Sequence, residues 1–116
     1  MAGTYLRRPL SGSTHGRGIK VVATASAGTT IHTAQADTTL VDVVTLFAYN
    51  SNTTDETLTL EWGGTTAPDD NMVFVVPAGR TIPIVVDGLI RNALVIKAFS
   101  TTANKVVITG FVTTES

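Results

Sequence analysis

Cysteine is absent from the 116 residues of the chain, and charged and aromatic residues are few, at 15% and 6% of the composition. Without cysteine, disulfide frameworks, zinc–thiolate and iron–sulfur centres and cysteine nucleophiles are excluded. Apolar runs such as residues 73–77 fall far short of the ~20 residues that cross a bilayer, and no signal-peptide run follows residues 1–10. We therefore expect no membrane partner and synthesis in the cytoplasm.

The residue types that are present favour strands over helices. Threonine and valine are abundant, whereas the helix formers Glu, Lys, Gln and Met are scarce. The apolar fraction of 43% suffices for one hydrophobic core, and a chain of this length forms a single domain. The composition thus predicts one all-β domain.

Apolar and polar residues alternate in successive segments that are separated by clusters of Gly, Pro, Asn and Asp. The alternation predicts about eight strands, near residues 19–24, 30–35, 40–49, 56–62, 71–76, 81–86, 93–99 and 105–113. This spacing is typical of a β-sandwich, either a jelly roll or an immunoglobulin-like sandwich, with the strand order left open. In the fourth strand Leu58, Leu60 and Trp62 share one face, which we assign to the core. Because Pro83 has no backbone N–H, the sixth strand should lie at a sheet edge or contain a bulge.

The first 20 residues differ in charge from the rest of the chain. They contain four cations and no acid, whereas all nine acids follow. We interpret residues 1–18 as an extended basic arm and residues 19–116 as the β-sandwich domain; a disordered terminus is the alternative. If the arm docks on a partner, its apolar anchors and its cations should make the contact. These contacts would come from Tyr5, Leu6, Arg7, Arg8, Arg17 and Lys20.

Two of the predicted strands are apolar on both faces. In residues 40–49 Val44 and Leu46 oppose another apolar face, and in residues 105–113 Val107 and Phe111 do the same. In a two-layer sandwich only one face of each sheet meets the core, so the second face needs a cover. Either a loop or the N-terminal arm covers it, or Val44, Leu46, Val107 and Phe111 form a subunit interface.

Residues that could support catalysis or metal binding are scattered. His15 lies in the Gly-rich N-terminal arm and His32 in a short strand, and neither has a second ligand at metal-binding spacing. Asp69 and Asp70 could hold calcium through oxygen ligands, although adjacent acids are more typical of a solvated turn. We therefore predict a protein without cofactor or enzymatic activity. Since Tyr5 is the only aromatic residue near the cations of the leader, the pattern also argues against nucleic acid as a partner.

Several stretches, taken in order, resemble a family of small virion proteins of tailed bacteriophages. They are residues 16–21 (GRGIKV), 30–34 (TIHTA), 60–66 (LEWGGTT), 98–99 (AF) and 110–112 (GFV), and the likeness covers nearly the whole chain. The resemblance implies a structural protein similar to the cement or decoration proteins of icosahedral heads. Such a protein is made in the host cytoplasm, binds the major capsid protein at the outer surface of the head as a homotrimer, and stabilises the shell.

A second hypothesis is a component of the tail or of a head fibre. In that position the sandwich would recognise carbohydrate at the host surface, with Tyr49 or Trp62 stacking on a sugar ring. The sequence leaves head and tail locations open, as it does the host and the surface contacted.

Overall fold

The computed structural model describes residues 5–115, which form nine β-strands and no helix. In chain order the strands are β1 (Tyr5–Pro9), β2 (Ile19–Lys20), β3 (Thr29–Thr33), β4 (Asp42–Asn50), β5 (Glu56–Trp62), β6 (Asn71–Val76), β7 (Thr81–Ile90), β8 (Val95–Ser100) and β9 (Val106–Glu115). The predicted all-β class is confirmed. The strand that was not predicted is β1, which lies in the segment interpreted from the sequence as an extended arm.

The strands form two antiparallel sheets of a sandwich. Sheet A has the order β1-β9-β4-β7, with β2 also paired to β9, and sheet B has the order β3-β8-β5-β6. Both β1 and β2 lie along the same edge of β9, opposite residues 111–115 and 107–108. The remaining edges are β7 in sheet A and β3 and β6 in sheet B.

The core lies between the sheets and follows the alternation of the strands. On β5 the side chains of Leu58 and Leu60 are fully buried, as predicted, while Trp62 is half-buried and packs against the core. On β4 the fully buried apolar residues include Val44 and Leu46. Each fully buried aliphatic side chain of this size stabilises the fold by roughly 1.5–3 kcal/mol relative to an exposed one.

Residues 5–18 belong to the sandwich, which corrects the prediction of a separate arm for this part of the chain. β1 pairs with β9 over five positions, and Leu10, only 2% exposed, enters the core. The chain then crosses to sheet B, where the Gly12 N–H donates to the Ile31 carbonyl at 3.0 Å. Backbone pairing and an apolar anchor hold the segment in place, so it closes the side of the sandwich between β9 and β3. Residues 1–4 of the predicted arm lie outside the described range.

The opposite side of the sandwich carries the two edge strands β6 and β7. Pro83 lies on β7, whose register against β4 shifts between Val44 and Phe47. The prediction of an edge strand or a bulge at Pro83 is therefore confirmed, and both features are present. In residues 5–115 we find no helix with the length and apolar character that spanning a membrane requires.

Candidate interaction face

The face of sheet A that points away from sheet B carries apolar and aromatic side chains. We call it the outer A face and define it by Val43, Phe47 and Tyr49 on β4 and Val107 and Phe111 on β9. Tyr49 is 42% exposed and the other four are half-buried. All nine described strands belong to the two sheets, so no third layer of strands covers this face in residues 5–115. An apolar sheet face in this position is a candidate protein-binding surface.

Cations border the outer A face along its β1/β2 edge. Lys20 lies directly opposite Val107 in the ladder, and the guanidinium carbon of Arg7 lies 4.9 Å from the centroid of the Phe111 ring. That distance places the charge over the aromatic face, a cation–π contact that stabilises by about 0.5–1 kcal/mol at exposed sites. Lys20 and Arg17 also line a shallow concavity of about 410 Å³ next to Val107. Neither Arg17 nor Lys20 forms an ion pair with a described residue.

A polar network inside the sandwich fixes the strand that carries Arg7. The neighbouring residue Arg8 turns inward, and its Nη2 lies 3.1 Å from Asp42 Oδ2 and 2.7 Å from Thr114 Oγ1. The Asp42 carboxylate is fully buried and also accepts hydrogen bonds from the Thr114 hydroxyl and the Gln35 N–H. One network therefore connects β1, β4 and β9, and it holds β1 in register.

His32 joins the same network from sheet B. Its Nδ1 accepts the Ser11 N–H at 3.0 Å, so the proton resides on Nε2, which donates to Asp42 Oδ2 at 2.8 Å. The imidazole is fully buried and both nitrogens have partners. This geometry suits a structural link between the sheets, with His32 as a hydrogen-bonded residue of β3.

Opposing effects act on the pKa of Asp42. Burial raises it, because a carboxylate loses hydration inside the protein, whereas hydrogen bonds from His32, Thr114 and Gln35 and the charge of Arg8 lower it. The lowering effects are the larger in sum, and the pKa lies below its ordinary value. Asp42 is consequently a charged, permanent acceptor at neutral pH.

A second concavity, of about 730 Å³, opens at the end of the sandwich where β5 finishes. Trp62 forms part of its wall with the exposed Leu89 and Leu94, and Arg91 and Asn92 contribute polar groups. Trp62 is thus partly available to a ligand. The sequence assignment of its side chain to the core holds for the part that packs between the sheets.

The structure corrects half of the predicted subunit interface. Val44 and Leu46 are fully buried in the core of their own chain, so they cannot contact another subunit. The alternate residues of β4, including Phe47 and Tyr49, face outward instead. Val107 and Phe111 lie on the outer A face at half-buried positions, and their part in a subunit interface stays a prediction.

The residues predicted to form the docking arm are separated by the structure. The Tyr5 backbone pairs with Glu115, Leu6 is 58% exposed, and Arg8 is engaged by Asp42. Arg7 and Lys20 border the outer A face, and Arg17 is exposed beside Lys20. Because Arg8 is held inside the network, we no longer assign it to a partner contact.

Sequence reasoning missed the role of Asp42, although a signal was present. Asp42 shares the parity of Val44 and Leu46, so an inward-facing charge could be inferred once that face was known to be the core. Its partners Arg8 and Thr114 lie 34 and 72 residues away in the chain, at distances that local patterns do not reveal.

The remaining candidate groups do not come together. Asp70 Oδ2 accepts the Thr66 N–H at 3.0 Å, which makes residues 66–70 a self-bonded turn, and His15 is exposed in its loop. Among residues 5–115 no three histidine or acidic side chains converge as a metal site.

Comparison with protein-family models, with curated proteins and with solved structures finds no match to this chain.

Proposed function

We propose that the protein is a structural component of a tailed-bacteriophage particle, a decoration protein that binds the outer surface of the head and stabilises the shell. The observation that carries the proposal is the outer A face, an apolar sheet face with a cationic border that no strand of residues 5–115 covers. The resemblance of residues 16–21, 30–34 and 60–66 to small virion proteins points in the same direction.

The partner surface that fits the outer A face is apolar at its centre and acidic at one edge. Tyr49 and Phe111 offer aromatic contact area, and Lys20, Arg17 and Arg7 supply positive charge that would meet capsid acids. The network around Asp42 holds β1 before any partner arrives, so binding does not have to order the segment. A binder that recognises the assembled shell and not free subunits stabilises the assembly by mass action.

The charge contribution can be tested by reversing two cations at the border. The variant Arg17→Glu/Lys20→Glu should lose binding to purified heads of the phage that encodes the chain, measured by co-sedimentation at several salt concentrations. Arg80→Glu/Arg91→Glu reverses the same number of exposed charges elsewhere and should bind like the unmodified protein. If the two variants bind the heads equally well, the cationic border does not contribute to binding.

The assignment to the head has its own test. Mass spectrometry of purified particles should find this chain in amounts close to those of the major capsid protein. A handful of copies would place the protein in the tail or a fibre, and its absence from the particle would contradict the structural role.

The carbohydrate hypothesis retains one observation in its favour, the concavity beside Trp62. A half-exposed indole next to Arg91 and Asn92 combines a stacking surface with hydrogen-bonding groups, as sugar sites do. Trp62 is the only tryptophan, so its fluorescence reports on this concavity directly. Host-surface polysaccharide should shift the emission if the hypothesis holds. The hypothesis would be contradicted if the polysaccharide left the emission unchanged and bound Trp62→Phe as it binds the unmodified protein.

A further inference from the structure

The edge strand β6 lacks the features that normally prevent edge strands from pairing. Its sequence, NMVFVV, has no charge and no proline, and no register shift interrupts its pairing with β5. The other open edge, β7, carries Pro83, Asp87 and shifted register. Of the two edges on the open side of the sandwich, β6 is therefore the one that can accept another strand.

The backbone groups that β6 leaves free can be identified from its hydrogen bonds. The Trp62 N–H donates to the Asp70 carbonyl at 2.7 Å, so in this antiparallel ladder Met72, Phe74 and Val76 also direct their backbone groups towards β5. The alternate residues Val73 and Val75 direct theirs outward. No backbone group of Val73 or Val75 has a hydrogen-bond partner beyond the strand ladder among residues 5–115.

The side chains of the same two residues are exposed. Val73 is 61% and Val75 59% exposed, and they lie on the outer face of sheet B. The strand thus presents two apolar side chains and four unpaired backbone groups at one edge. A surface without charge offers no electrostatic recognition of a charged partner, but it is complementary to a copy of itself.

We propose that β6 pairs antiparallel with β6 of a second copy across a two-fold axis, with Val73 of each copy opposite Val75 of the other. This register satisfies the four free backbone groups of Val73 and Val75 in each strand. The Asn71 N–H keeps its hydrogen bond to the Pro68 carbonyl, at 3.1 Å.

The size of the contact indicates how strong the association should be. Six residues span about 20 Å and a sheet edge is about 10 Å deep, so the strand contributes on the order of 200 Å² per partner. Stable complexes bury about 800 Å² per partner. We therefore expect reversible dimers with dissociation constants in the micromolar range or weaker, which become populated when copies are concentrated on a shared surface.

Sedimentation velocity of the full chain in the absence of capsids tests the inference. With rising concentration the mass should increase from the chain mass of 12.1 kDa to twice that value. In hydrogen exchange, the amides of Val73 and Val75 should become protected over the same concentration range.

Val73→Lys/Val75→Lys should weaken this association by at least about tenfold, because it places like charges opposite each other. Both positions are exposed, so circular dichroism and Trp62 emission should remain those of the unmodified fold. Val22→Lys/Val86→Lys adds the same charges at exposed valines outside β6 and should dimerise normally.

A monomer at the highest attainable concentration, a homotrimer such as the resemblance to decoration proteins implies, or a dimer that survives Val73→Lys/Val75→Lys would overturn the inference. Because no capsid is present, none of these results depends on the proposed function. Dimerisation without capsid binding would leave the inference standing and contradict the docking proposal alone.

Discussion

Replacing Asp42 by asparagine should destabilise the protein strongly, although the two side chains have the same size. The carboxylate is fully buried and accepts hydrogen bonds from Arg8, His32, Thr114 and the Gln35 N–H. The asparagine amide has one acceptor oxygen and an NH₂ group, which would face donors. The substitution also leaves Arg8 without its counter-charge.

The expected loss of stability follows from these contacts. Removing one partner of a buried ion pair costs about 3–5 kcal/mol, but the side chain of Arg8 is 33% exposed and can regain hydration. We therefore expect a loss of about 2–4 kcal/mol in the free energy of unfolding. For a domain of this size that change lowers Tm by roughly 8–16 °C. Urea unfolding followed by Trp62 fluorescence measures the loss.

The pH dependence gives an independent check on the same residue. The pKa of Asp42 is lower in the folded protein than in the unfolded chain, so its contribution is complete above the ordinary carboxyl range, about pH 4, and is lost as the pH falls through the folded pKa. The difference in stability between the unmodified protein and Asp42→Asn should therefore shrink at acidic pH. Asp69→Asn alters an exposed carboxylate and should leave stability unchanged. If Asp42→Asn unfolds at the same urea concentration as Asp69→Asn at neutral pH, the network does not stabilise the fold.

Two further changes probe how the N-terminal segment and the sheet centre are built, and a third serves as a comparison. Deletion of residues 1–18 should abolish cooperative thermal unfolding, because it removes β1 and Leu10 and exposes one edge of β9. If the truncated protein has an unchanged melting curve, the segment is not part of the folded sandwich and the interpretation as an arm is correct. Gly110→Ala should destabilise by about 3 kcal/mol or more, since its Cβ would lie 2.0 Å from the Thr45 carbonyl oxygen in the neighbouring strand. Gly79→Ala, where no atom lies within 4 Å but φ is +69°, should lose only about 1–2 kcal/mol in the same urea titration.

The sequence was sufficient for the strands whose alternation is clear. The predicted strands at residues 56–62 and 71–76 coincide with β5 and β6, because well-marked turns bound both segments and residues 56–62 keep period two. The strand predicted at 81–86 continues to residue 90 as β7, since the bulge near Asp87, with φ of 55°, interrupts the alternation without ending the strand. Local pattern therefore located strands well and their ends less well.

The N-terminal strand and the interface could not be derived from local pattern. β1 contains two arginines and a proline, and its partner strand lies about a hundred residues further along the chain. Both faces of β4 are apolar, so period two alone could not decide whether Val44 or Phe47 faces the core. That choice depends on which face sheet B covers, and only the tertiary structure provides it.

The two surfaces proposed for binding lie on different sheets, and this separation has a physical consequence. The outer A face belongs to β4 and β9, whereas the free edge of β6 belongs to sheet B, so one contact does not occlude the other through shared residues. A dimer formed through β6 carries two outer A faces, and once the first has bound, the second binds at an effective concentration that can reach the millimolar range if the spacing of its sites matches. Weak pairing between copies and modest contact with a repeating surface can thus give firm attachment together. The unguarded edge of β6 is then useful on an assembled shell, while the small size of the contact keeps the free chains largely apart.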